Sequence, residues 1–203
     1  MIRSIPLLLC VISTPAWPEN PLVPPIFPTL ADVTGVEAGD FLNIRALPSA
    51  SAEDLGDLEN GTRVEVLGVS DDTKWSKIHW GGTSAWVSSR YLQRVDPVRM
   101  ENSKLPLPLQ CFGTEPFWSM EVTQTGILYT DPETELKFQP IEEEAHAFFD
   151  ASQALVQSKD YAALIEYGTC FDGMSDREYA LSVSLFTNGG ALGGCCQIVP
   201  VNN

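Results

Sequence analysis

The sequence predicts a mainly all-β protein: a small barrel, then a second β-rich domain stapled by disulfides, with at most a short helix. Three observations carry this. Apolar and polar residues alternate in short runs, as in Thr62 to Leu67 and Phe117 to Val122, the period of a half-buried strand. Turn signals such as Asn60-Gly61, Gly81-Gly82 and Asn188-Gly189-Gly190 punctuate those runs. Four of the five cysteines lie at Cys111, Cys170, Cys195 and Cys196, all in the second half.

The elements follow in chain order. Met1 to Ser4 carries one positive charge, Ile5 to Ile12 is apolar, and Thr14 and Ala16 are small. This is the pattern of a secretory signal peptide at 1–16, cleaved after Ala16. The apolar run is too short for a bilayer, which needs about 20 residues, and no later run is long enough. Leu7-Leu8-Leu9 before Cys10 places bulky residues where a lipoprotein signal needs small ones. Residues 17–29 hold five prolines, so an extended spacer is expected there, with docking on the following barrel as the sharper alternative.

Phe41–Arg45, Thr62–Leu67, Trp75–Trp80 and Ala85–Val87 alternate as strands, giving a small closed barrel at 30–95. Residues 96–108 carry three prolines and no periodicity and read as a linker. In the second domain, 109–203, strands are expected at Phe117–Val122, Gly126–Tyr129, Leu136–Phe138, Tyr161–Tyr167, Tyr179–Phe186 and around Cys195–Val199. Ala145, Phe148, Phe149, Ser152 and Leu155 share a helical face, so 142–156 reads as a short helix.

Charge excludes one class of partner. The chain is at −15, and loss of residues 1–16 removes Arg3 and no acid, leaving −16. Residues 31–98 hold six Lys/Arg against eleven Asp/Glu, and residues 101–203 hold four against fifteen. Such a surface repels phosphate backbones, so no nucleic acid is expected. Cys10 leaves with the signal, and the remaining even count in an exported protein reads as bridges. Zinc is disfavoured: there is no C-x-x-C, and His79 and His146 are the only histidines. No cofactor motif is present. Adjacent Cys195 and Cys196 cannot bridge each other, since their Cα atoms sit ~3.8 Å apart. In a strand they face opposite sides and reach different partners.

Two stretches resemble known families. Leu42-Asn43-Ile44-Arg45-Ala46-Leu47-Pro48-Ser49 resembles the L-N-V-R-x-x-P-S opening of bacterial SH3 domains. Leu55 to Thr62, Trp75-Ser76-Lys77-Ile78 and Gly82 to Leu92 resemble their later segments, in order. Ala46-Leu47 stands where Ser-Gly is common, and Ala85 where a glycine usually precedes the tryptophan. The resemblance implies an SH3-like barrel over 31–95 and a targeting role, contacting peptidoglycan or an envelope protein. Cys111 to Trp118 (C-F-G-T-E-P-F-W) and Cys170 to Tyr179 (C-F-D-G-M-S-D-R-E-Y) resemble the paired motifs of a poorly characterised family of exported bacterial domains. That resemblance implies Cys170–Cys195 and Cys111–Cys196, because members with a single terminal cysteine keep the one following glycine with the C-x-D-G-M-S-D cysteine.

The candidate site residues come from these motifs. Trp75 and Trp86 are candidate ligand platforms, although at least two of Trp75, Trp80 and Trp86 are expected in the core. Trp118 and Arg177 are candidate binding residues in the second domain. Glu115 with Asp172 or Asp176 offers an acid and a base, and Asp172, Ser175 and Asp176 offer oxygens to a hard cation. The structural alternative is turn chemistry at Asp172-Gly173 and a Glu115–Arg177 ion pair. The expected function is a non-enzymatic module of the periplasm or the exterior. An envelope hydrolase is the rival.

Overall fold

A computed structural model describes residues 27–100, 103–148 and 153–200, with the backbone alone over 142–148. The expected signal peptide, its cleavage point and most of the proline-rich segment lie outside the described residues.

The chain first lays down β1 (Thr29–Val33), β2 (Leu42–Arg45), β3 (Asp54–Leu58), β4 (Arg63–Val69), β5 (Trp75–Trp80), β6 (Thr83–Ser88) and, after a 3₁₀ turn at Ser89–Tyr91, β7 (Leu92–Val95). They form one seven-stranded sheet in the order β3-β2-β6-β5-β4-β1-β7. Its edge strands β3 and β7 are not hydrogen-bonded to each other, so the closed barrel expected over 30–95 is corrected to an open sheet curled over its core. Val33, Leu42, Ile44, Leu58, Val66, Ile78, Ala85 and Val87, from β1 to β6, meet in one buried cluster. Only a sheet curled on itself lets one face of six strands converge.

The segment read as a linker carries a small hairpin, β8 (Val98–Arg99) with β9 (Pro106–Leu107). Its Met100, Leu105 and Leu107 are buried in the core of the second domain.

That domain comprises β10 (Leu109–Thr114), β11 (Phe117–Val122), β12 (Gly126–Asp131), β13 (Thr134–Phe148), β14 (Gln153–Ser158), β15 (Ala162–Phe171), β16 (Glu178–Thr187) and β17 (Gly190–Ile198). Each pairs with the next, and β17 pairs back onto β10, closing an eight-stranded barrel. Closure removes the exposed edges that an open sheet leaves. The helix expected over 142–156 is strand throughout its described length: β13 runs to Phe148, paired with β14 from Ile141↔Ser158 to Phe148↔Gln153. A single short helix is marginal in water, whereas a strand here supplies the pairing without which the barrel cannot close.

The barrel interior is packed. Leu109, Met120, Ile127, Ile165, Leu181, Leu185 and Ile198 are among the fully buried side chains, each contributing roughly 1.5–3 kcal/mol by burial. Trp118 sits among them because glycine lines its bed. A Cβ on Gly113 would stand 2.2 Å from the indole nitrogen, and one on Gly194 would stand 2.2 Å from the Phe112 carbonyl oxygen.

The disulfides join Cys111 to Cys196 and Cys170 to Cys195. Cys111 and Cys196 belong to the interior cluster. Cys195 therefore faces the other side of β17, and its bridge ties the end of β15 to the outer wall of the barrel.

The two domains share a seam. Leu30 of β1 and Val95 of β7 pack into the barrel's cluster. Glu65, 6% exposed, accepts the Ile198 N–H at 2.8 Å and meets His79 Nε2 at 3.0 Å. Lys77 pairs with Glu178 at 2.9 Å, with side chains 24% and 32% exposed. Partly exposed pairs of that kind are worth about 0–1 kcal/mol. A hydrogen bond to a buried carboxylate is worth about 1.5–3 kcal/mol, so Glu65 outweighs Lys77 in holding the seam.

Candidate functional site

The pleat decides which residues of the sheet can meet a ligand. In β5, Ser76 and Ile78 are buried, which turns Trp75, Lys77 and His79 outward; in β6, Ala85 and Val87 are buried, which turns Ser84, Trp86 and Ser88 outward. In β2, Asn43 and Arg45 lie on that same outer face. The register stacks them in rows: Arg45 opposite Trp86 opposite Lys77, Ser88 opposite Trp75, and Ser84 opposite His79.

The barrel covers one end of this face. Asp176 bridges to Thr83 through the backbone, the Glu178 N–H donates to Ser84 Oγ at 3.1 Å, and the Arg177 Nε donates to His79 Nδ1 at 3.4 Å. Tyr179 lies 5.1 Å from the His79 ring, and the Arg177 guanidinium lies 5.1 Å over Tyr179. Lys77 marks the boundary, its ammonium 5.2 Å from the Trp86 ring centre.

The other end is open. A groove of about 500 Å³ runs past Trp75, Arg45 and Asn43, walled by Phe41, Arg90 and Tyr91. Phe41 is 46% exposed, and the Arg90 guanidinium lies 4.7 Å over the Tyr91 ring. Arg45 is fixed by Asp54 at 3.1 Å and by the Ala52 carbonyl at 3.2 Å. Aromatic rings beside oriented cations and an amide suit adhesion to a polar chain with apolar stretches.

The sequence-derived candidates divide accordingly. Trp75 lines the groove and Trp86 borders it. The expectation of at least two core tryptophans is corrected: Trp80 alone packs against the sheet's core. Its indole N–H donates to the Leu55 carbonyl at 2.9 Å and lies over Gly56, where a Cβ would stand 2.6 Å from the ring. Trp75 is five positions before Trp80 and so faces outward, as does Trp86 between two inward residues. Trp118 is no platform, being 4% exposed inside the barrel. Arg177 belongs to the seam, where it also donates to Gln197 Oε1 at 3.2 Å, rather than pairing with Glu115.

Glu115 and Asp172 line a small pocket of about 190 Å³ on the outer wall, beside the Cys170–Cys195 bridge. Thr114 Oγ1 donates to the Asp172 carbonyl at 2.9 Å, drawing the two motifs together. The Asp172 carboxylate accepts the N–H groups of Met174 (2.9 Å) and Ser175 (2.8 Å), the Ser175 hydroxyl (2.9 Å) and the Tyr179 hydroxyl (3.4 Å). The Met174 N–H, opposed by burial and joined by the Ser175 and Tyr179 donors, holds its pKa below the usual value of 3.8. Gly173, at φ 73°, completes the turn. Both oxygens therefore organise the loop. Glu115 is exposed on the β10–β11 turn, and Asp176 lies outside the pocket lining. Among the described residues, no group of three or more His, Cys, Asp or Glu is placed to hold a metal ion.

Sequence reasoning missed Phe41, Arg90 and Tyr91 in the groove, and Glu65 and His79 in the seam. The Phe41-Leu42-Asn43-Ile44-Arg45 alternation does put Phe41, Asn43 and Arg45 on one face, which was a usable signal. Arg90 and Tyr91 arrive through a 3₁₀ turn that no periodicity marks.

The first domain is a small open antiparallel sheet with an aromatic groove on its outer face. Residues 40–93 match the family model of the bacterial SH3 domain. Neither the curated proteins nor the solved structures give a match to the chain.

Proposed function

We propose that this protein is an exported, non-enzymatic module of the cell envelope, periplasmic or secreted after cleavage near Ala16, whose SH3 groove contacts peptidoglycan or an envelope protein. The observation that carries this reading is the groove itself. Phe41, Asn43, Arg45, Trp75, Arg90 and Tyr91 of its wall fall within the residues that match the bacterial SH3 model, and it stays open while the rest of the same face is taken by the barrel. The barrel in this reading is a rigid platform, held by two disulfides and an interior filled by side chains.

The rival hydrolase would use Glu115 with Asp172 or Asp176. It gains from Glu115 and Asp172 sharing a pocket, and loses from the hydrogen bonds that fix Asp172 in its turn. Co-sedimentation of the whole mature protein with peptidoglycan sacculi tests the proposal. Binding is expected to fall about tenfold, roughly 1.4 kcal/mol, in Phe41→Ala and Trp75→Ala. It should persist in salt, because sacculi and protein are both anionic and attraction must be short-range. Retention of both variants at the level of the parent would sink the groove. If the parent itself fails to sediment, the cell wall is removed as ligand and a protein partner remains. Release of soluble muropeptides that stops in Glu115→Gln would establish the hydrolase instead.

A further inference from the structure

The barrel has a second recess, at the mouth formed by the β12–β13, β14–β15 and β16–β17 turns. It encloses about 220 Å³. Its inner wall is aromatic: Tyr129 and Tyr161 are 5% and 9% exposed, with ring centres 4.7 Å apart, and Trp118 lies 6.4 Å beyond Tyr129. Burial first, and then the neighbouring Asp131 carboxylate, push the pKa of the Tyr129 hydroxyl up to about 12. The Tyr161 hydroxyl lines the recess and, among the described residues, has no hydrogen-bond partner.

The rim supplies fixed polar groups. Lys137 donates to Asp160 Oδ2 at 2.6 Å, the Gln139 amide donates to the same oxygen, and the Asp160 N–H donates back to Gln139 Oε1 at 3.0 Å. Asp160 is thereby immobilised through one oxygen, and it lines the recess. An ammonium has three N–H donors, and one of those on Lys137 is accounted for by Asp160.

We propose that this mouth binds a single neutral sugar residue. Each hydroxyl of a sugar both donates and accepts, so one ring can answer a phenol, a carboxylate oxygen and an ammonium together while its C–H face rests on tyrosine. The volume lies below the roughly 300–1,000 Å³ of sites for drug-sized ligands, which suits one ring. An anion would face both Asp131 and Asp160, a cation would face Lys137, and a wholly apolar ligand would leave the rim unpaired. Mouths of small barrels are recurrent ligand sites. The inference concerns a recess that shares no lining residue with the SH3 groove and does not depend on the envelope reading.

Saturation-transfer NMR on the whole chain tests it, with free hexoses and N-acetylhexosamines as probes at millimolar concentration. At least one probe is expected to receive saturation. Tyr161→Phe, which removes only the hydroxyl, should weaken it roughly tenfold and leave the melting temperature unchanged or slightly higher, since no protein contact is lost. Asp160→Asn should weaken it similarly, while Val98→Ala, at an exposed position that lines neither recess, should bind as the parent does. The proposal is overturned if no probe receives saturation, if Tyr161→Phe binds unchanged, or if Val98→Ala abolishes the signal.

Discussion

The SH3 sheet and the barrel are built from the same material, short antiparallel strands, and differ in what they do with their faces. The sheet leaves its edges unjoined and turns Trp75, Arg45 and Asn43 to the outside. The barrel joins every strand to two neighbours and fills its middle with side chains. The difference teaches where recognition can reside. In the sheet it can occupy a whole strand face. In the barrel it is confined to the mouth and the outer wall.

The comparison breaks most sharply at the disulfides. The Cys111–Cys196 bridge spans 85 residues and lies inside the barrel, while Cys170–Cys195 spans 25 and lies outside. Removing the inner pair by Cys111→Ala with Cys196→Ala should cost about 4–5 kcal/mol, and removing the outer pair about 3–4 kcal/mol. Urea unfolding measures both; an outer loss equal to or above the inner one would contradict the assigned places. Next in size, Gly194→Ala should cost about 3 kcal/mol, because its Cβ would meet backbone. Ala at Gly82, where nothing lies within 4 Å, should change stability by about 0.5 kcal/mol or less. Equal effects at the two positions would show that the barrel wall can shift.

Glu65 joins the two halves, and Glu65→Ala should cost about 2 kcal/mol. Hydrogen exchange should quicken at Ile198 before it quickens at the centre of either domain. Unchanged exchange there would mean that the Leu30 and Val95 packing carries the seam alone.

The smallest effect separates two carboxylates. Asp32 is held below the usual range first by its hydrogen bond to Arg63, and Asp172 first by the Met174 N–H. A lowered pKa contributes stability that is present above the unfolded value near 3.8 and lost as pH falls through the folded value. Both contributions should therefore vanish in acid. NMR titration in rising salt should move Asp32 toward its ordinary value more than Asp172, since an ion pair is screened and neutral donors are not. Equal salt sensitivity would contradict these causes.

Much of the all-β fold was legible. The bounds of β5 and β11 coincide with the alternating runs Trp75–Trp80 and Phe117–Val122. Strand β1 was not legible, because Thr29–Val33 is almost wholly buried, one side toward each domain, which erases alternation. Strand β3 hides in Asp54-Leu55-Gly56-Asp57-Leu58, whose residues favour turns and whose glycine serves the Trp80 indole. That β13 extends to Phe148 follows from barrel closure, a property of eight strands together that no local window contains. The groove was half legible: Trp75 was singled out as a platform, but its walls come from a loop and a 3₁₀ turn brought near only by folding. The meeting of Glu115 with Asp172 depends on Thr114 reaching across 58 positions, and sequence spacing carries no trace of it.

The pairing of β17 with β10 also sets a sequence of events in time. Leu109 waits for Ile198, the longest loop the barrel has to close, and such distant contacts form late because chain entropy opposes them. The same Ile198 N–H is the one that Glu65 accepts. A chain made from its amino end can therefore curl the SH3 sheet around its own core early. The barrel, both bridges and the full seam must all await one strand, so whatever delays β17 delays all of them at once.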